Sequence, residues 1–167
     1  MGKPIELLIL DDEPMVGQRL HPALVKEGYR VEVYTAPKDA VARLEAKDFD
    51  IVVTDIRMEE LDGLQVLANV LKRSPRTKVI MITGYPSISG AVKAVQLGAC
   101  DYLEKPFTED ELFVAVDRAP LEVDARRHHQ AVPGQGGAVG QRHRARGGVD
   151  RLGPCMHHVH AVVGAQR

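Results

Sequence analysis

Cysteine is scarce in this chain, and apolar runs long enough to cross a membrane are absent from its sequence. The 167 residues include only two cysteines, Cys100 and Cys155, too few and too far apart for a disulfide framework. The first apolar stretch is too short, and too soon interrupted by acidic residues, for a signal peptide. We therefore expect a reduced, cytoplasmic protein without a membrane span.

Net charge is also nearly absent, but the value of −1 conceals two parts of opposite charge. Residues 1–119 contain 15 Lys and Arg against 20 Asp and Glu, whereas residues 120–167 contain 7 against 3. An acidic surface repels the phosphate backbone of nucleic acids. We therefore expect no direct nucleic-acid binding by residues 1–119.

The segment 120–167 also lacks whole residue types, namely Lys, Ile, Phe, Tyr, Trp, Ser, Thr and Asn. No helical or alternating apolar pattern runs through it, so it buries too little apolar surface to offset the entropy lost on ordering. The missing residue types are mostly encoded by A/T-rich codons, whereas the abundant ones are encoded by G/C-rich codons. Two interpretations stay open: a native disordered tail, or an out-of-frame translation of a GC-rich gene.

Residues 1–119, by contrast, alternate between strand and helix patterns five times. Short apolar runs that stop abruptly are typical of buried strands, and a period of three to four residues is typical of helices. Strands are predicted to end near Leu10, Tyr34, Asp55, Ile82 and Glu104, and the fourth helix carries the apolar stripe Ile88, Val92 and Val95. Right-handed crossovers would make this an α/β, doubly wound five-stranded parallel sheet with helices on both faces.

Three carboxylates and one lysine stand where predicted strands end. Asp11 and Asp12 follow the first strand, Asp55 closes the third, and Lys105 follows the fifth. The carboxyl ends of parallel strands share one edge of the sheet, and ligands bind there at the topological switch point. Crowded carboxylates repel one another unless a cation or a shared proton intervenes, and oxygen-rich acidic sites suit Mg²⁺. The sequence therefore predicts a magnesium site for phosphoryl-transfer chemistry.

Five motifs, all in the expected order, resemble the receiver domain of bacterial two-component response regulators. They read LLILDDE, VTDIRM, DG, ITG and DYLEKPF, and they occupy residues 7–13, 53–58, 62–63, 82–84 and 101–107. The runs 83–86 and 91–95 are most like the nitrogen-regulator subgroup of that family. The resemblance implies that residues 1–119 form a receiver domain with the flavodoxin-like (βα)5 fold.

The resemblance also implies roles for the acidic residues. Asp55 would be the phosphoacceptor, and its phosphoryl group would come from a sensor histidine kinase. Asp12 and Asp55 would be direct ligands of Mg²⁺, together with the backbone carbonyl of Arg57. Asp11 would act on the metal mainly through water.

Three further residues receive roles by the same resemblance. Lys105 would pair with Asp55 at rest and with a phosphoryl oxygen afterwards, and its bond to Pro106 is expected to be cis. Thr83 would offer its hydroxyl to the phosphoryl group. Tyr102 would be the switch aromatic that turns inward when Thr83 moves.

The function implied is a phosphorylatable switch, and not an enzyme except in catalysing its own phosphorylation and dephosphorylation. Phosphorylation would alter the face formed by the fourth helix, the fifth strand and the fifth helix (α4-β5-α5), where a homodimer could form to control transcription. One alternative is a Mg²⁺-dependent aspartyl-phosphate phosphatase or phosphotransferase, although Arg57 stands near Asp55 where such enzymes generally have a second acid. The other is a receiver-like interaction module that is never phosphorylated, which the intact acidic cluster disfavours.

One residue departs from the family pattern. Family members often have Pro after the Met that corresponds to Met58, and this chain has Glu59. We expect this change to loosen the loop and to add negative charge near the site without removing a ligand.

Overall fold

A computed structural model describes residues 3–118, which form a parallel sheet covered by helices on both faces. The strands are β1 (Glu6–Leu10), β2 (Arg30–Tyr34), β3 (Ile51–Asp55), β4 (Lys78–Thr83) and β5 (Asp101–Glu104). The helices are α1 (Pro14–Lys26), α2 (Pro37–Ala46), α3 (Gly63–Arg73), α4 (Ile88–Gln96) and α5 (Glu109–Arg118). The predicted alternation of strands and helices is confirmed. The segment 120–167, for which a disordered tail or an out-of-frame translation was expected, lies outside the described residues.

The strand order is β2-β1-β3-β4-β5, and every neighbouring pair is parallel. The polar strand β2 lies at an edge of the sheet. Leu10 at the end of β1 pairs with Thr54 of β3, and Asp55 pairs with Ile82 of β4. The predicted doubly wound topology is therefore confirmed, and the ends of β1 and β3 lie side by side at the switch point.

The central strands β1 and β3 are buried along their whole length because helices cover both faces of the sheet. Alternate side chains point to opposite faces. Leu8 and Val52 join a core cluster with α3, whereas Leu7 and Val53 join a second cluster with α1 and α5. Burial on both faces explains why these strands read as continuous apolar runs.

Side chains cap three helices at the edge where the strands end, and in α4 the Ser87 hydroxyl accepts a hydrogen bond of 3.0 Å from the Gly90 N–H. The Asp62 carboxylate accepts a hydrogen bond of 2.9 Å from the Leu64 N–H at the start of α3. Before α5, Thr108 Oγ1 accepts from the Glu111 N–H at 3.2 Å, and Glu111 Oε2 accepts from the Thr108 N–H at 2.7 Å. This reciprocal pair is a capping box, which fixes where α5 begins after the β5 loop.

Most of the apolar stripe on α4 faces solvent. Ile88 is 65% exposed and Val92 is 40% exposed, whereas the buried residue of this helix is Ala94. The stripe predicted the helix correctly, but only its last member, Val95, is partly buried. The other two residues form an apolar surface rather than core.

None of the helices described within residues 3–118 is both long enough and apolar enough to cross a membrane.

An ionic network ties strand β2 to helix α2 at the edge of the sheet. Arg43 donates two hydrogen bonds to the Glu32 carboxylate, at 2.7 and 2.8 Å, and Lys47 donates a third at 2.9 Å. Tyr34 donates from its hydroxyl to the same carboxylate at 2.9 Å. The hydrogen bonds from Arg43 above all lower the pKa of Glu32 to about 2, although its partial burial opposes the shift.

We predict that acid destabilises the wild-type chain more steeply than the variant Arg43→Met. As the pH falls below about 4.5, the unfolded chain binds a proton at Glu32, whereas the folded chain keeps this carboxylate ionised down to a pKa of about 2. The stabilisation from Glu32 is therefore complete above pH 4.5 and is lost as the pH falls toward 2. Urea unfolding at several pH values between 7 and 3 measures the difference.

The control is Lys38→Met, which removes an ion pair between the exposed side chains of Lys38 and Glu60. Its pH dependence should follow that of the wild type. Parallel curves for the wild type and Arg43→Met would show that Arg43 does not hold the Glu32 pKa down.

Candidate functional site

The three predicted carboxylates meet at the carboxyl end of the sheet. Asp11, Asp12 and Asp55 each offer a carboxylate oxygen, and these oxygens lie within 4.8 Å of one another. Asp11 and Asp55 are buried, while Asp12 is partly exposed. The adjacency of β1 and β3 in the sheet places these residues side by side, as the sequence predicted.

Lys105 supplies the positive charge that this cluster needs. Its Nζ donates hydrogen bonds to Asp55 Oδ2 at 2.8 Å and to Glu13 Oε1 at 3.0 Å, and it lies 2.7 Å from Asp11 Oδ2. The Lys105–Pro106 bond is cis, as expected. Burial alone would lower the pKa of Lys105, but the three carboxylates raise it above its ordinary value. Lys105 is therefore a fixed cation at neutral pH.

Asp11 is the carboxyl group of the cluster whose pKa is raised. Burial raises the pKa of the Asp11 carboxyl, while Lys105 and a 2.9 Å hydrogen bond from the Glu13 N–H oppose that rise. The Lys105 ammonium, 2.7 Å away, is the ion-pair partner of the buried Asp11 Oδ2. A buried carboxylate is stabilised in its charged form by such a cation nearby.

The donor set fits a divalent cation. Hard cations such as Mg²⁺ take oxygen ligands, and Mg²⁺ in particular uses one or two carboxylates and keeps several waters. Asp12 and Asp55 provide those carboxylates, and the Asp11 carboxylate beside them can accept a hydrogen bond from a metal-bound water. The residues present therefore suit the predicted magnesium site.

Both oxygens of Asp55 are oriented by the surrounding chain. Oδ1 accepts a hydrogen bond of 2.9 Å from the Arg57 N–H, and Oδ2 accepts from Lys105. Arg57 also forms an isolated antiparallel bridge with Asp62, which closes the loop between β3 and α3. The role expected for the Arg57 carbonyl stays a prediction.

The cluster opens into a cavity of about 430 Å³, lined by Asp12, Glu13, Asp55, Arg57, Glu59, Gly84 and Tyr85. The Arg57 guanidinium lies over the Tyr85 ring, 5.3 Å from its centre. Sequence reasoning missed the contact of Glu13 with Lys105 and the place of Tyr85 at this cavity. The motif that contains Asp11 and Asp12 also contains Glu13 and could have indicated it, whereas no spacing in the sequence points to Tyr85.

Thr83 and Tyr102 flank the site on β4 and β5. The buried Thr83 hydroxyl accepts a hydrogen bond of 3.1 Å from the Tyr85 N–H. The Tyr102 ring packs against the core, and its buried hydroxyl makes no hydrogen bond of good geometry. Burial raises the pKa of Tyr102, and the nearby Ser87 backbone opposes that rise. The inward turn expected of Tyr102 on phosphorylation stays a prediction.

Gly63 lets helix α3 begin directly against the strand that carries Asp55. Its N–H donates to the Ile56 carbonyl at 2.8 Å. A Cβ at this position would lie 2.8 Å from the Asp55 carbonyl carbon and 2.9 Å from Ile56 Cα, closer than such atoms approach. The glycine of the Asp62-Gly63 motif is therefore required by backbone packing beneath the site.

The fold and the site together define a doubly wound α/β protein with a cluster of three carboxylates at its switch point. Within that class, a family model described as the response regulator receiver domain matches residues 7–117. The chain therefore belongs to the response regulator receiver family, and this resemblance is confirmed.

Known relatives support the same assignment. The transcriptional regulatory protein GlrR of Escherichia coli K12 is 38% identical over 117 residues, covering 70% of this chain and 26% of the relative. This chain thus spans about a quarter of the length of that relative.

Two solved structures are also similar. The beryllofluoride-activated NtrC4 receiver dimer has a TM-score of 0.66 and 31% identity, and the match covers 71% of this chain and 97% of that one. A Burkholderia pseudomallei response regulator, solved with a phosphorylated aspartic acid and a calcium ion, has a TM-score of 0.65 and 28% identity. That match covers 74% of this chain and 73% of the other. The likeness to NtrC4 agrees with the nitrogen-regulator subgroup expected from the sequence.

We predict that Gly63→Ala destabilises the protein by about 1–3 kcal/mol, the usual range for forcing an extra methyl group into a packed site. The methyl group would press on the Asp55 and Ile56 backbone, so the chain must shift beneath the acidic cluster. Urea unfolding measures the loss.

Gly84→Ala is the matched control at the same site, because its added carbon would lie 3.9 Å from the Lys105 side chain, an ordinary contact. This variant should stay within about 0.5 kcal/mol of the wild type. Equal effects from the two substitutions would contradict the packing argument.

Proposed function

We propose that this chain is a receiver switch in which Asp55 accepts a phosphoryl group from a sensor histidine kinase. One of the Asp55 carboxylate oxygens would attack the phosphorus of a phosphohistidine, forming an O–P bond as the N–P bond breaks and the imidazole leaves. The observation that carries the proposal is the gathering of Asp11, Asp12 and Asp55 around the Lys105 cation. The phosphorylated aspartic acid in the similar Burkholderia pseudomallei structure supports it.

In this proposal Asp12 and Asp55 hold Mg²⁺ directly, with the Arg57 carbonyl as a third ligand and Asp11 acting through water. When bound, Mg²⁺ screens the negative charge of the carboxylates and orients the phosphoryl oxygens. The hydrogen bond from the Arg57 N–H fixes Asp55 Oδ1 and so orients the carboxylate that would attack the phosphorus. The protein thus supplies the charge and the orientation that the transfer requires.

Lys105 neutralises Asp55 before the transfer and would move to a phosphoryl oxygen afterwards. Its long side chain can make this small shift without moving β5. The Thr83 hydroxyl would leave the Tyr85 N–H and donate to the phosphoryl group, as the family resemblance implies. Each residue thus exchanges a partner seen in this structure for the new phosphate.

Phosphorylation of Asp55 would change the face formed by α4, β5 and α5. Ile88 and Val92 already present apolar surface there. Thr83 and Tyr102 would relay the change at Asp55 to this face, and their rearrangement would shift the population of the protein toward a dimerising or docking form. The dimer of the similar NtrC4 receiver and the transcriptional role named for GlrR support a homodimeric switch that controls transcription. We place this switch in the cytoplasm, without nucleic-acid binding by the receiver domain.

The proposed switch is not an enzyme beyond its own phosphorylation and dephosphorylation. A phosphatase or phosphotransferase of the aspartyl-phosphate type would generally need a second acid near the nucleophile. Arg57 occupies that place here, with its guanidinium directed to the Tyr85 ring. The match of residues 7–117 to the receiver family also favours the switch.

The first test is covalent phosphorylation. With Mg²⁺ and a small acyl phosphate as donor, the chain should gain one base-labile phosphate, and Asp55→Asn should gain none because the amide is not a nucleophile. Intact-mass spectrometry measures the gain. Asp39→Asn, which removes an exposed carboxylate on α2, is the control and should be phosphorylated like the wild type. Equal phosphate incorporation in Asp55→Asn would contradict the assignment of Asp55 as the phosphoacceptor.

A second test separates the acidic residues. Asp12→Ala should weaken Mg²⁺ binding more than Asp11→Ala, because a direct ligand contributes more than one that acts through water. We expect about tenfold weaker binding for Asp11→Ala, the scale of an outer-shell loss, and a larger effect for Asp12→Ala. Calorimetric titration with MgCl₂ measures both. Equal losses would remove the proposed division of roles.

A further inference from the structure

The loop that carries Glu59 is held in place although it lacks the proline common at this position in the family. The bridge between Arg57 and Asp62 closes the loop, and the buried Met58 side chain anchors it to the core. Both anchors lie within three residues of Glu59. These two contacts place the Glu59 backbone beside the acidic cluster, and the loosening expected from the sequence stays a prediction.

From that position the Glu59 N–H donates a hydrogen bond to Asp12 Oδ2 at 3.4 Å. The donor crosses from the β3–α3 loop to the loop after β1, so it joins the two segments that hold the metal-ligand candidates. Proline has no N–H and could not make this contact. The contact therefore requires a residue other than proline at position 59.

We propose that the Glu59 main-chain N–H is a positioning donor that orients Asp12 for metal binding. This inference rests on the proposed function, in which Asp12 ligates Mg²⁺. A ligating carboxylate is normally held by an outer hydrogen bond, which reduces the reorganisation needed when the metal arrives. Asp12 is only partly buried, so without the donor its carboxylate is freer to turn toward water.

The effect of the Glu59 side chain must be separated from that of its N–H, because Glu59 lines the same cavity as the acidic cluster and carries a charge. Glu59→Gln and Glu59→Ala both keep the N–H and remove the charge. Glu59→Pro removes the charge and the N–H together. The comparison of Glu59→Pro with Glu59→Ala therefore isolates the donor.

The experiment is calorimetric titration of the full chain with MgCl₂ at low and high ionic strength. We expect Glu59→Ala and Glu59→Gln to bind about twofold to threefold more weakly than the wild type at low salt. They should match it at high salt, because exposed charges are screened. Glu59→Pro should bind roughly tenfold more weakly than Glu59→Ala at both ionic strengths, the lower end for loss of an outer-shell partner.

Amide hydrogen exchange gives a second measurement that does not depend on the proline variant folding. In the wild-type chain, saturating Mg²⁺ should slow exchange at the Glu59 amide more than at the amide of the neighbouring exposed residue Glu60. Equal Mg²⁺ affinity in Glu59→Pro and Glu59→Ala, or equal slowing at the two amides, would overturn the inference and leave the proposed function intact. A wild-type chain that bound no Mg²⁺, or an Asp12→Ala variant that bound it normally, would overturn both.

Discussion

The ion pairs of Lys105 with two buried carboxylates are the interaction on which the candidate site depends. Asp11 and Asp55 are almost completely removed from water and lie close together, which would be unfavourable if both were charged without a partner. The Lys105 ammonium, within 2.8 Å of both, compensates for part of that repulsion. The pKa of Asp11 stays raised despite this ion pair, mainly because the carboxyl is buried.

The sheet supplies the rigidity that this charge arrangement requires. Strands β1 and β3 are buried on both faces, so the residues at their ends have little freedom to move apart. Gly63 brings α3 against the backbone of Asp55, and the Asp62 side chain caps the same helix. The acids are therefore held in place by packing despite their repulsion, as is usual for preorganised sites.

The contacts that are proposed to change on phosphorylation lie at the other side of the site. Thr83 bonds to the Tyr85 N–H, a contact that can be exchanged, and the Tyr102 hydroxyl is buried without a good hydrogen bond. Helix α4 packs through the small residue Ala94 and leaves Ile88 and Val92 in solvent. A weakly anchored helix beside exchangeable contacts is the kind of element whose population a new charge at Asp55 can shift.

The sequence by itself determined the five strands, the doubly wound order and the residues at the strand ends. Continuous apolar runs, and the acidic residues that end them, can be recognised within a single segment of the sequence. It also identified Asp11, Asp12, Asp55 and Lys105 as one group. Only the tertiary structure decided that α4 turns Ile88 outward, that Arg57 stacks on Tyr85, and that the Glu59 N–H contacts Asp12. These features depend on how loops from different strands approach one another, and no periodicity within a single segment encodes that distance.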